Sequence, residues 1–246
     1  MKIALFEERR TNNESQITIT VNGFSMRIGL FGGTFNPVHL GHLRAALEVK
    51  EGFGLDEVIL IPAAIPPHKM PGEVADATDR LHMLNLALEG ATGLAISKVE
   101  LKRSGPSYTI DTVQHFKHML PEPSRIYLIM GMDAFLEIDS WKSYDELLMQ
   151  IPFVILSRPD SGRTDNDSGW KLMEKFVASN ISADYVFSES QSCYRAKDKQ
   201  PVYIWEVTAL DISSTKIRNL INSERSIEYL VPQKVADYIR SKGLYL

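Results

Sequence analysis

The chain has 246 residues, of which 44% are hydrophobic and 24% charged, and its net charge is −4. These values fit an ordinary globular chain holding one sizeable α/β domain with an appendage, and they exclude the disordered and membrane-embedded classes. A negative balance removes the positive field that general binding to a nucleic-acid backbone needs, and a single cysteine, Cys193, gives no internal disulfide. No apolar run approaches the roughly 20 residues of a membrane helix and no hydrophobic signal core opens the chain, so a cytoplasmic location is expected.

Residues 1–25 are polar and form an N-terminal extension ahead of Met26, an alternative translation start; within them Ile17-Thr18-Ile19-Thr20-Val21 alternates as an edge strand does. From Met26 onward strands and helices alternate. Ile28 to Phe31 reads as a strand leading to a helix near Leu43 to Phe53, and Val58 to Ile61 as a strand leading to a helix near Asp79 to Glu89. Ala95 to Val99, Ile126 to Met130 and Phe153 to Leu156 read as further strands. Asp160 to Ser168, rich in Asp, Ser, Gly and Asn, reads as a mobile surface loop before helices at Trp170 to Ala178 and Val235 to Ser241. Short apolar runs separated by helical patterns predict a doubly wound, Rossmann-like, mostly parallel sheet over residues 26–246, with a small helical part from about residue 212. Such sheets bind ligands outside the carboxyl ends of their strands, where strand order reverses.

The first strand runs into Gly32-Gly33-Thr34-Phe35-Asn36-Pro37-Val38-His39-Leu40-Gly41-His42, after which helical sequence begins. The glycines remove Cβ atoms where a ligand approaches the backbone, and a helix start presents free N–H groups and a positive dipole end, so the loop reads as an anion site. His39 and His42, three apart, can both donate to one phosphate chain, with Gly41 leaving room for a base or ribose. A plain glycine-rich turn with incidental histidines is the bland alternative, and a shared metal ranks lower because no cysteine or acid lies close. Neither the Walker pattern nor the dinucleotide fingerprint is present.

Several later segments carry two readings. Pro66-Pro67-His68-Lys69 is a stiffened loop bearing an imidazole and an ammonium, or a solvated turn. Ser107-Tyr108-Thr109, ahead of a helical stretch, reads on its own as a simple cap. Asp133, after the strand ending at Met130, suits ribose hydroxyls or an N-cap, and Trp141 reads on its own as a core or interface residue. Ser213-Ser214-Thr215 with Arg218 opens a helix whose hydroxyls, N–H groups and guanidinium suit phosphate, or an ordinary amphipathic helix. His82, His115 and His118 read as surface or packing positions.

Taken in order, the Gly32 to His42 loop, Pro66 to Lys69, Pro106 to Thr109, Gly131-Met132-Asp133 with Trp141, Ser157-Arg158-Pro159 and Ile212 to Arg218 resemble the bacterial nicotinate-mononucleotide adenylyltransferase family, within the nucleotidyltransferase superfamily that includes class I aminoacyl-tRNA synthetases. The resemblance runs from about Met26 to Leu246. It implies an enzyme joining the adenylyl group of ATP to nicotinate mononucleotide, giving nicotinate adenine dinucleotide and pyrophosphate in NAD biosynthesis. It implies catalysis by His39 and His42, ATP binding by Gly32, Gly33, Thr34, Phe35, Asp133, Ser214, Thr215 and Arg218, and mononucleotide binding by His68, Lys69, Thr109, Trp141 and Arg158. The expected partners are ATP and nicotinate mononucleotide, with Mg²⁺ carried by the ATP phosphates, no metal held by the protein, no nucleic acid and no membrane; a homo-oligomer is compatible with the sequence. Nicotinamide mononucleotide or another phosphate ester is the alternative acceptor, and a non-catalytic nucleotide-binding module the alternative class. The attacking phosphate, with a second ionisation near pH ~6, needs no general base. Two positions depart from the family pattern: Asn36 stands where many relatives have aspartate, and Lys142 where many have an aromatic residue.

Overall fold

The computed structural model describes residues 6–11, 14–19, 25–64, 74–157 and 169–246. Two strands, β1 (Phe6–Thr11) and β2 (Glu14–Ile19), pair antiparallel in a sheet of their own. The alternating segment read as an edge strand therefore belongs to a hairpin and not to the main sheet, and its Thr20 and Val21 lie outside the described residues.

The main sheet contains β3 (Arg27–Gly33), β4 (Glu57–Pro62), β5 (Leu94–Ile96), β6 (Arg125–Gly131), β7 (Phe153–Ser157), β8 (Val186–Ser188), β9 (Cys193–Arg195) and β10 (Val202–Glu206), in the order β5-β4-β3-β6-β7-β10-β9-β8. The six strands from β5 to β10 are parallel, and β9 and β8 close one edge antiparallel. The chain builds outward from β3 to β5, returns to the other side of β3 at β6, and then builds the opposite way. Strand order thus reverses between β3 and β6, which sets the crevice outside their carboxyl ends.

Successive side chains on a strand point to opposite faces, and the core divides accordingly. Ile28, Leu30, Ile59, Ile61, Ile126, Leu128, Met130, Phe153 and Ile155 face one layer, joined by residues of α3 (Thr109–Met119), α5 (Tyr144–Gln150) and α6 (Gly169–Phe176). Phe31, Val58, Leu60, Tyr127, Ile129 and Val154 face the other, with residues of α1 (Leu40–Gly52), α2 (Ala77–Ala87), α7 (Ser214–Asn222) and α8 (Gln233–Lys242). Both faces are apolar because both are covered, which is why these strands read as continuous hydrophobic runs. A one-turn helix, α4 (Met132–Phe135), follows β6 directly.

Several elements differ from the sequence reading. Residues Ala95 to Val99 form a strand only to Ile96; Ser97 donates its amide to Leu60 and turns the chain away. The helix read from Leu43 begins at Leu40 because His39 caps it. The helix read at Trp170 to Ala178 ends at Phe176 and passes into a π turn, Val177–Ile181. Strands β8, β9 and β10 were not anticipated: the first two are three residues long and exist through antiparallel pairing, too short for a periodic signal. The loop read at Asp160 to Ser168 lies outside the described residues.

Glu57, the first residue of β4, is 6% exposed, and its Oε2 is buried without a hydrogen-bond partner. Burial raises its carboxyl from 4.5 to about 7, against a smaller opposing pull from Lys50. Over that window the native state holds a proton that the unfolded state has released, so stability is greatest below the lower value and falls as pH rises through the upper. The loss is up to about 3 kcal/mol. Glu57→Gln is expected to raise the denaturation midpoint at pH 8 while changing it little at pH 4; equal shifts at both would refute this.

Candidate active site

The loop after β3 delivers two imidazoles to the start of α1. His39 is the N-cap in extended conformation, and the pair forms a reciprocal capping box: the His42 amide donates to Nδ1 of His39, and the His39 amide donates to Nδ1 of His42, both at 3.3 Å. The rings stack with centroids 3.6 Å apart and planes 22° apart. A nitrogen that accepts an N–H bond holds its lone pair in the ring plane, so the proton of each neutral imidazole lies on Nε2. The cap therefore makes both rings Nε2–H donors. His39 is 3% exposed and His42 is the more accessible ring.

This changes the expected anion site. Free helix amides were anticipated, but the Leu40 amide donates to Leu230 (3.0 Å) and the His42 amide is used in the box. The donors offered at this helix start are imidazoles more than backbone. Gly41 also serves its own loop: a Cβ there would lie 3.0 Å from Nδ1 of His39, so the missing side chain makes room for the His39 ring. A Cβ on Gly33 would lie 3.1 Å from the Phe35 ring, which packs edge-on against His42 at 5.1 Å, whereas Gly32 faces open space. Of the two loop glycines, only Gly32 fits the proposed approach of a ligand to bare backbone.

The loop is tied to α7 and to the C-terminus. Ser213 caps α7 by accepting from Lys216, and Ser214 donates its hydroxyl to the Pro37 carbonyl (2.8 Å). Arg218 donates Nη1 to the Asn36 carbonyl (2.9 Å) and Nη2 to Oγ1 of Thr215 (3.2 Å). Asn36, 4% exposed, accepts at Oδ1 from the Ala75 amide (3.0 Å) and the Tyr245 hydroxyl (2.8 Å). Burial pushes the Tyr245 phenol up, so it stays a donor at neutral pH. The departure at Asn36 thus falls on an atom used as an acceptor, and an amide oxygen fills that role without a buried negative charge.

Across the switch point, Asp133 is exposed in the first turn of α4, beyond the end of β6, the strand that pairs with β3. It is not a cap. Thr109 is the first residue of α3, with Tyr108 as N-cap, and the amides of Thr109 and Ile110 make no hydrogen bond among the described residues. Ser107 does not cap that helix; its Oγ accepts from the Ala64 amide (3.0 Å) and bonds to buried Glu100, which also accepts from Thr112 (2.9 Å). Burial raises the Glu100 carboxyl. Trp141 packs at the margin of the core, and Lys142 bonds Asp111 at 3.1 Å and lies 4.6 Å from the Tyr108 ring centre. Lys142 therefore joins the Trp141 segment to the start of α3 and pairs with the acid in its first turn.

His39, His42, Gly32, Gly33, Thr34, Phe35, Ser214, Thr215 and Arg218 come together in one bonded unit, with Asp133 on the neighbouring strand end and Thr109 and Trp141 on the α3 side. His68, Lys69 and Arg158 lie outside the described residues. Among the described residues no three His, Cys, Asp or Glu side chains group to hold a metal ion, and no helix is long and apolar enough to cross a membrane. Sequence reasoning missed Arg80, which is 1% exposed and donates into this unit, together with Tyr245 and Glu100. Nothing local marks them: all three act across folded contacts.

Residues 30–220 match the model of the family described as cytidylyltransferase-like. A Desulfatibacillum aliphaticivorans protein named "Probable nicotinate-nucleotide adenylyltransferase" is 43% identical over 223 residues, covering 90% of this chain and 100% of its own. A Pseudomonas fluorescens protein of the same name is 39% identical over 219 residues, covering 89% and 97%. The solved structure of Plasmodium falciparum nicotinic acid mononucleotide adenylyltransferase complexed with NaAD superposes with a TM-score of 0.65 at 17% identity, covering 89% of this chain and 97% of its own. That likeness establishes a shared fold.

Proposed function

The chain belongs to the cytidylyltransferase-like family and, within it, to the nicotinate-nucleotide adenylyltransferases, and on that basis we propose that it transfers the adenylyl group of ATP to nicotinate mononucleotide, releasing pyrophosphate. The observation that carries the reading is the capping box, which commits two stacked imidazoles to donating Nε2–H at the switch point of a doubly wound sheet. In this reading the mononucleotide phosphate attacks the α-phosphorus of ATP in line, the bond to the β-phosphate oxygen breaks, and pyrophosphate leaves with the electron pair. His39 and His42 neutralise charge on the bridging and α-phosphate oxygens as it grows. Arg218 and Thr215 hold the β- and γ-phosphates, Asp133 accepts from ribose hydroxyls, and Mg²⁺ enters with its nucleotide, to which it binds through phosphate oxygens and water.

The pyridine carboxylate is assigned to the start of α3. The amides of Thr109 and Ile110, which make no hydrogen bond among the described residues, and the positive end of that helix suit an anion, and Trp141 offers a face for the ring. Mixing protein, MgATP and mononucleotide is expected to release pyrophosphate, with kcat/KM about 10-fold or more higher for nicotinate than for nicotinamide mononucleotide, since hydrogen bonds to a charged group are worth more than those to a neutral one. Equal values would replace the acceptor assignment with dual specificity. No pyrophosphate from either would leave a nucleotide-binding module.

A further inference from the structure

Arg80 lies on α2, outside every motif that carried the family resemblance, and is among the most deeply buried side chains of the described residues. Its guanidinium donates Nε to the Ala75 carbonyl (2.9 Å), Nη1 to the Thr34 carbonyl (2.9 Å) and Nη2 to the Ala64 carbonyl (3.3 Å). These three oxygens belong to three separate stretches: the loop after β3, the loop after β4, and the entry to α2. The described side-chain bonds of Arg80 go to carbonyls and none to a carboxylate; Asp76, which acts on it through its charge, is exposed. A buried cation without a bonded anion is costly, and stability alone would favour an apolar residue of similar volume.

The same stretches are cross-bonded around it. Ala63 donates its amide to Gly33, Ala64 to Oγ of Ser107 and Ala75 to Oδ1 of Asn36, while the Asn36 carbonyl takes Arg218. Arg80 therefore sits where the histidine loop, the start of α3 and the phosphate-facing α7 are held to one another. It also draws three carbonyl oxygens, each the negative end of a peptide dipole, onto a cation.

We infer that Arg80 is a positioning residue of the nucleotide site: its planar fork sets the Thr34 carbonyl, and with it the loop bearing His39 and His42, relative to the ends of the neighbouring loops at Ala64 and Ala75. A compact ammonium retains the charge but cannot reach three carbonyls in one plane. This rests on the adenylyltransferase reading for its turnover measurements, while ATP affinity reads it independently of turnover.

The test uses Arg80→Lys and Arg80→Ala, each with its thermal midpoint, kcat, KM for both substrates and calorimetric ATP affinity. Arg80→Lys is expected to fold, to lose about 10- to 100-fold in kcat and to bind ATP more weakly, because small misplacements of a catalytic group carry costs of that order. Its KM for the mononucleotide should change little. Low millimolar guanidinium should restore activity to Arg80→Ala in a saturable way, and methylammonium at the same ionic strength should not. A lysine variant with wild-type kcat and ATP affinity, or an alanine variant whose activity merely tracks its folded fraction and ignores guanidinium, would overturn the assignment. If the wild-type protein releases no pyrophosphate, the adenylyltransferase reading fails, and ATP affinity of the lysine variant then decides the role of Arg80 by itself.

Discussion

Replacing His42 by alanine is expected to lower kcat by about two to three orders of magnitude, the usual cost of removing one preorganised donor from developing transition-state charge. Two roles meet in this ring and must be separated. Its Nε2–H is the proposed donor to phosphate, and its Nδ1 accepts the His39 amide in the capping box. Loss of the cap by itself costs about 0.5–2 kcal/mol of stability, and alanine is otherwise well suited to a helix. Glutamine at the third helical position is a natural capping-box partner. His42→Gln is therefore expected to recover the thermal midpoint without recovering kcat. A folded His42→Ala protein with near-normal turnover would remove the histidine pair from the mechanism, and equal recovery of kcat by His42→Gln would reduce the ring to a cap.

Arg218→Ala is expected to lower kcat/KM for ATP by about 10- to 100-fold, from the loss of charged hydrogen bonds worth roughly 1.5–3 kcal/mol. Two of its donors already hold the Asn36 carbonyl and the Thr215 hydroxyl, leaving others for phosphate. The loss should concentrate in the ATP parameters, with the mononucleotide KM nearly unchanged. Arg218→Lys should recover only part, since an ammonium cannot bond the loop carbonyl and a phosphate chain in the same fork geometry. A defect shared equally between the two substrates would assign Arg218 to holding the loop alone.

Legibility in the sequence followed the length scale of each interaction. The histidine pair could be read because its chemistry is confined to one helical turn: cap, stack and donors come from residues three apart. Four of the six parallel strands, β3, β4, β6 and β7, were legible as apolar runs of five residues or more between covered faces; β5 was read with bounds that run past its end at Ile96, and Val202 to Glu206 went unassigned beside two three-residue strands that depend on pairing. The two departures from the family pattern were visible as substitutions but not as consequences. Asn36 acquires its meaning from Ala75 and Tyr245, 39 and 209 positions away, and Lys142 from Asp111, 31 positions away.

What the sequence by itself determined is the alternation of strands and helices, the reversal-prone α/β architecture and the residue types offered at each strand end, since periodicity and local backbone chemistry suffice for these. Only the tertiary structure decided what the loop from Gly32 to His42 rests on. It turned the amides of Leu40 and His42 inward, gave Gly41 to the His39 ring, and placed Arg80 beneath Thr34 from 46 positions away. The physical reason is burial: a buried N–H, carbonyl or guanidinium must find a partner wherever the packed layers bring one, and that partner is set by sheet order and helix docking instead of by neighbours in the chain.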